Sequence, residues 1–145
     1  MTERVLLQRD YSARPERVFE AWTRIELLER WLGCGPDMLW RIHQWDVRVG
    51  GALHVSLQFE AGPFEVRGEF LVVDPPHHLR YRWAGGGIVD VTIEARGTGS
   101  RVTVLHSNLA TDEERTATTG GWGNSLGQLE QVLAEARPRN VASNT

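Results

Sequence analysis

Between Leu53 and His106 the chain alternates apolar and polar residues, stops at a turn, and starts again. Leu53, Val55, Leu57 and Phe59 alternate with His54, Ser56, Gln58 and Glu60. Period two puts successive side chains on opposite faces of a strand. Further strands are expected from about Phe64 to Val73, Leu79 to Trp83, Val89 to Ala95 and Arg101 to His106. The separators are Ala61-Gly62-Pro63, Asp74-Pro75-Pro76-His77, Ala84-Gly85-Gly86-Gly87 and Gly97-Thr98-Gly99. Strands this close, divided by turn residues, form an antiparallel meander.

The flanks of the meander read differently. Val5 to Tyr11 is a first strand. Pro15 then suits the first position of a short helix, where its missing N–H costs nothing. Val18, Phe19 and Trp22 give that helix an apolar face. Thr23 with Glu26 reads as a capping box opening a second helix, with Trp22 and Leu27 as a hydrophobic staple. Leu27, Leu28 and Trp31 form its buried stripe, and Gly33, Gly35 and Pro36 end it. At the far end Trp122, Leu126, Leu129 and Leu133 follow helical spacing. Thr111 with Glu114 predicts a helix start near Asp112, and Pro138 stops it. The expectation is one α+β domain over residues 1–138, with a polar tail over 139–145.

Composition narrows the function classes. The chain has 145 residues, 41% of them hydrophobic, and can bury a sizeable core. Its net charge of −3 offers no basic stripe, so nucleic acid is not an expected partner. All 16 basic residues are arginine, and without lysine there is no Schiff-base chemistry. Cys34 is the one cysteine, which excludes an internal disulfide. No apolar run approaches the roughly 18–20 residues of a membrane span. The first residues lack a signal-peptide core, so cytoplasm is the expected compartment and no membrane partner is expected.

Closing the hairpins around their separators sets a register. Phe59 would face Phe64, and Val55 would face Gly68. Gly68 would lie opposite Trp83, Trp83 opposite Val89, and Val89 opposite His106. Glu69 opposite Arg82 would give a favourable pair on the outward face. Gly68 beside a large indole has two readings: Trp83 fills the space, or a ligand does. Gly120, Gly123 and Gly127 fall on one side of the last helix. Each costs about 0.5–1 kcal/mol relative to alanine. They mark close backbone approach or open space, unless Gly120-Gly121 simply breaks the helix.

Several motifs then line up in order. They are Ala13-Arg14-Pro15-Glu16-Arg17-Val18-Phe19-Glu20-Ala21-Trp22-Thr23, Glu29-Arg30-Trp31, Asp46-Val47-Arg48-Val49-Gly50-Gly51, Gly68-Glu69-Phe70, Val73-Asp74-Pro75-Pro76, Arg101 to Ser107, and Gly121-Trp122. The ordered set, from about Val5 to Ala136, resembles the activator-of-Hsp90-ATPase-like branch of the START/Bet v 1 (SRPBCC, polyketide cyclase-like) superfamily. The resemblance implies a helix-grip fold: a curved antiparallel sheet wrapped around a long C-terminal helix, two short helices after the first strand, and a cavity between sheet and helix. It departs from the pattern at Trp31-Leu32, where many relatives carry a tryptophan pair, and at Arg14, where a serine-like cap is usual.

Six tryptophans, at positions 22, 31, 40, 45, 83 and 122, either fill that interior or line it. The expected function is reversible binding of a small, largely apolar or aromatic molecule. The expected ligand-binding residues are Trp31, Trp40, Phe59, Phe70, Trp83, His106, Trp122 and Leu126, with Trp83 and Trp122 as opposing walls. His106 points inward, either to orient a ligand or as a satisfied core histidine. It is also the candidate catalytic group if the chain is an enzyme, a cyclase, dehydratase or hydrolase acting on an aromatic or polyketide-like compound. A third reading is a protein-interaction or chaperone-linked stress-response module.

No cofactor is expected, and no histidine spacing suggests a metal. His54 is expected to face outward, and His77 and His78 to sit in a turn. His43 is the histidine whose direction the sequence leaves open. Asp46 and Arg48 suit a structural ion pair. The stretch from Cys34 to Trp45 lacks periodicity and is read as a gate over the cavity, or as padding of the core or a homodimer contact.

Overall fold

The computed structural model describes residues 3–32, 39–59, 62–83, 86–109 and 111–136. Strand β1 (Glu3–Tyr11) leads into helices α1 (Pro15–Thr23) and α2 (Ile25–Trp31). Six strands follow: β2 (Leu39–Trp45), β3 (Ala52–Phe59), β4 (Gly62–Asp74), β5 (His78–Arg82), β6 (Ile88–Arg96) and β7 (Gly99–Leu109). Helix α3 (Asp112–Ala136) closes the chain. Every neighbouring pair is antiparallel, in the order β1-β7-β6-β5-β4-β3-β2. The curved sheet carries α3 on its β1 and β7 side, and α3 also packs against α1 and α2.

Local chemistry sets the helix ends. Pro15 occupies the first turn of α1, as its fixed φ favours. The amide of Glu114 donates to Thr111 Oγ1 at 3.0 Å, which caps α3. The capping box expected at Thr23 does not form. Thr23 ends α1, and its hydroxyl donates back to the Phe19 carbonyl at 3.0 Å. Arg24 is the N-cap of α2 instead, and its guanidinium pairs with Glu20 and Glu26, each at 3.0 Å. Helix α3 runs unbroken through Gly120 and Gly121, so those glycines do not end it. A side chain at Gly120, Gly121 or Gly123 would meet nothing within 4 Å.

The register keeps the expected faces but shifts along two hairpins. Phe59 pairs with Gly62, Leu57 with Phe64, and Leu53 rather than Val55 with Gly68. Tyr81, not Trp83, lies opposite Val89, because the hairpin closes earlier, with the Trp83 amide donating to the Gly87 carbonyl at 2.7 Å. Each correction is a slip of two residues, which leaves every side chain on its original face. Val89 pairs with His106 as expected. The inward row is therefore Phe70, Tyr81, Val89, His106 and Val5, all buried.

Gly68 has a different explanation from either one expected. A Cβ there would lie 2.1 Å from the Arg82 carbonyl oxygen. Close passage of the neighbouring backbone demands the glycine, and the missing side chain leaves no room for a ligand.

The stretch read as aperiodic from Cys34 to Trp45 is in part a strand. β2 pairs with β3, and its register shifts between Ile42 and Gln44. This bulge puts Ile42 and Trp45, three residues apart, both into the core. Alternation is broken there, so the sequence shows no period. Residues 33–38, and with them Cys34, lie outside the described residues. The following turn holds the expected Arg48–Asp46 ion pair at 2.8 Å.

Candidate functional site

Two tandem contacts join the helices to the inward row of the sheet. The periodicity of α1 puts Val18, Ala21 and Trp22 on its buried face. From there the Trp22 indole N–H donates to the Tyr81 hydroxyl on β5 over a long 3.4 Å. The spacing of α3 buries Trp122, Ser125, Leu126, Leu129 and Leu133 together. From α3 the Trp122 indole N–H donates to Nδ1 of His106 on β7 at 3.0 Å. The two indoles stack, centroids 6.2 Å apart and planes tilted by 29°. Tyr81 and His106 are two strands apart in the same row, with Val89 between them. Adjacent strands lie about 4.8 Å apart, so their backbones are separated by roughly 10 Å.

The remaining rings extend this cluster. Trp31 meets Trp22 edge-on at 4.5 Å, and its N–H donates to the Ala21 carbonyl at 3.0 Å. Trp45 donates to the Trp22 carbonyl at 2.9 Å and packs edge-on against Phe70 at 5.3 Å and Tyr81 at 5.4 Å. Trp83 is half-buried at the border, 5.9 Å from Tyr81 and 6.5 Å from Trp45. These separations are those of favourable edge-to-face pairs. Leu126 is fully buried, and its carbonyl accepts from the Tyr11 hydroxyl at 2.8 Å.

His106 is 4% exposed and Trp122 is 8% exposed. Because Trp122 donates to Nδ1, that nitrogen carries a lone pair, and the proton of the neutral ring sits on Nε2. Among the described residues none accepts from Nε2, and none accepts from the Tyr81 hydroxyl. A buried donor without an acceptor costs roughly 1–3 kcal/mol. Burial pushes the His106 pKa down to about 4, only partly opposed by the negative charge of Glu114 on α3. Burial likewise pushes the Tyr81 phenol up. Near neutral pH the site therefore presents neutral donors and no charge of its own from these two groups.

Of the residues singled out from the sequence, Trp31, Phe70, Trp83, His106, Trp122 and Leu126 belong to this cluster or its packing. The side chains of Trp40 and Phe59 lie outside the described residues. Tyr81, Trp22 and Trp45 also belong to the cluster, although they are not among the residues expected from the sequence to bind a ligand. The alternation of Leu79 and Tyr81 along β5 was the available signal for the first.

The other histidines lie elsewhere. His43 is exposed, bonded to Ser56 at 2.8 Å and 4.5 Å from the His54 ring. His54 contacts Glu65 at 2.7 Å, His77 the Ile93 carbonyl at 3.0 Å, and His78 Asp90 at 3.0 Å. Among the described residues no three His, Cys, Asp or Glu side chains gather to hold a metal. None of the described helices is long and apolar enough to cross a membrane. A surface pocket of about 320 Å³ lies between the β1–α1 turn and the end of α3, where Tyr11, Arg14, Arg17, Glu130 and Leu133 line it and none of the clustered tryptophans does.

A seven-stranded antiparallel sheet gripping a long terminal helix defines a protein of the SRPBCC/Bet v 1-like class. The chain belongs to the activator of Hsp90 ATPase homolog 1-like family, whose sequence model matches residues 12–134. Protein CV1439 from Chromobacterium violaceum is 26% identical with a TM-score of 0.79, over 90% of this chain and 96% of that one. Protein NE0264 from Nitrosomonas europaea is 24% identical with a TM-score of 0.76, over 92% and 96%. The AHSA1-like protein from Aeromonas hydrophila is 22% identical with a TM-score of 0.78, over 92% and 94%. No curated protein matches the chain. The fold of these proteins is consistent with ligand binding.

Proposed function

We propose that the protein reversibly binds a small, largely apolar aromatic molecule at the ring cluster between sheet and α3. The observation that supports this reading is the cluster of aromatic rings between the sheet and the helices, in which Trp122 stacks on Trp22 and the half-buried Trp83 borders Tyr81. A guest inserted beside Trp83 would gain roughly 25 cal/mol for each Å² of apolar surface it removes from water. His106 and Tyr81 supply polar groups in an otherwise apolar setting, the usual make-up of a small-molecule site.

Binding is favoured over catalysis because His106 already spends Nδ1 on Trp122 and is held neutral well below pH 7. A general acid–base works best with a pKa near the working pH. The test is titration with 2-ethylnaphthalene, followed through the six indole N–H signals by two-dimensional NMR. Saturable shifts of the Trp83 and Trp122 signals are expected. Signals that stay fixed up to the solubility limit would overturn the reading.

A further inference from the structure

The pocket between the β1–α1 turn and the end of α3 holds charge that the fold does not use. Its volume of about 320 Å³ falls within the span of small-molecule sites, roughly 300–1,000 Å³. Glu130, Leu133 and Ala134 reach it from one face of α3, at helical spacing. Tyr11 lines it from the end of β1, and Arg14 and Arg17 from the start of α1. The turn behind them is tied down. The Ser100 hydroxyl donates to the Ala13 carbonyl at 2.6 Å, and the Arg14 carbonyl accepts from the amides of Arg17 and Val18. The Tyr11 hydroxyl donates to the Leu126 carbonyl at 2.8 Å, which fixes that ring against α3.

Stability gives no reason for the two arginines. Arg14 holds the N-cap position of α1 but makes no capping bond, where a serine would make one. Both cations stand at the positive end of the helix dipole, and like charges three residues apart repel. Neither side chain has a hydrogen bond or ion pair among the described residues, and Glu16 in the same turn pairs with neither. Glu130 is the one carboxylate among the lining residues. It offsets one guanidinium and leaves one positive charge in excess.

We propose that this pocket is a second ligand site, separate from the ring cluster, and that it takes a small monocarboxylate with a flat apolar body. The guanidiniums of Arg14 and Arg17 meet the carboxylate, a geometry for which their planar forks are suited. The body lies against Leu133, Ala134 and the Tyr11 ring. One negative charge balances the pocket. A neutral molecule of the same shape leaves both guanidiniums unanswered.

The experiment titrates the protein with 2-naphthoate, acetate and 2-ethylnaphthalene and follows the backbone amides by two-dimensional NMR. 2-Naphthoate should shift the amides of Arg14, Arg17, Leu133 and Ala134 saturably. It should bind at least about tenfold more tightly than acetate, which lacks the apolar body. 2-Ethylnaphthalene should leave those amides in place. Added sodium chloride should weaken 2-naphthoate. Arg17→Gln, at the half-buried position, should weaken it about tenfold. Arg14→Ser should weaken it severalfold and raise the melting temperature, because serine supplies the missing cap.

Equal affinities for acetate and 2-naphthoate would overturn the proposal and leave a bare anion patch. So would absence of 2-naphthoate binding, shifts from it confined to Trp83 and Trp122, or unchanged affinity in both variants. The first three outcomes are read on the unaltered chain. The ring-cluster reading stands or falls by 2-ethylnaphthalene, so the two failures are distinguishable.

Discussion

Trp122 on α3 donates its indole proton to Nδ1 of His106 on β7 across 3.0 Å, so a helix residue decides the protonation pattern of a sheet residue. The contact ties the closing helix to the inward row of the sheet. It also keeps the imidazole neutral in a place where a charge would be costly.

Acid should weaken the fold through His106. Burial holds its pKa at about 4 in the folded chain, below the ordinary histidine value of 6.5 that the unfolded chain restores. Between those values the unfolded chain takes up a proton that the folded chain refuses, so stability falls as the pH drops through this window. Above it the ring is neutral in both states and contributes no pH dependence. The full shift corresponds to about 3 kcal/mol. Urea denaturation of the wild type and of His106→Gln at a series of pH values checks this. The wild type should lose more stability between pH 6.5 and 4, and parallel curves would contradict the account.

Trp122→Phe keeps a ring against Trp22 but removes the indole donor. The loss should be about 1.5–3 kcal/mol, from the broken hydrogen bond and the smaller ring. The His106 pKa should rise, because a donor at Nδ1 favours the neutral imidazole. Chemical denaturation measures the first effect, and NMR titration of the His106 ring measures the second.

Two glycines should respond in opposite directions. Gly68→Ala forces a methyl to within 2.1 Å of the Arg82 carbonyl oxygen, and something must shift. It should cost more than about 2 kcal/mol. Gly120→Ala meets nothing within 4 Å on an exposed stretch of α3. It should stabilise the chain by about 0.5–1 kcal/mol. Thermal melts of the two variants would display the contrast.

Much of this architecture was legible before any coordinates. Element order, the antiparallel meander, the apolar stripe of α3, Pro15 at the start of α1 and the Val89–His106 pairing all follow from period and turn residues. What stayed hidden depends on contacts between distant segments. The bulge near His43 breaks the alternation of β2, so the sequence shows no strand there. The β5–β6 hairpin closes at Trp83 and Gly87, which moves Tyr81 into the row meant for the indole. Gly68 answers to a backbone on the neighbouring strand. The inward direction of His106 was readable from alternation. Its partner was not, because Trp122 is marked in the sequence only as a residue on an apolar helical face.

The most direct test of the binding account locates a guest by intermolecular NOEs between bound 2-ethylnaphthalene and the protein's side chains. The account predicts contacts from the naphthalene protons to Trp83, Trp122 and the His106 ring. Contacts confined to Tyr11, Arg14 and Leu133, which line the surface pocket at the end of α3, would contradict it.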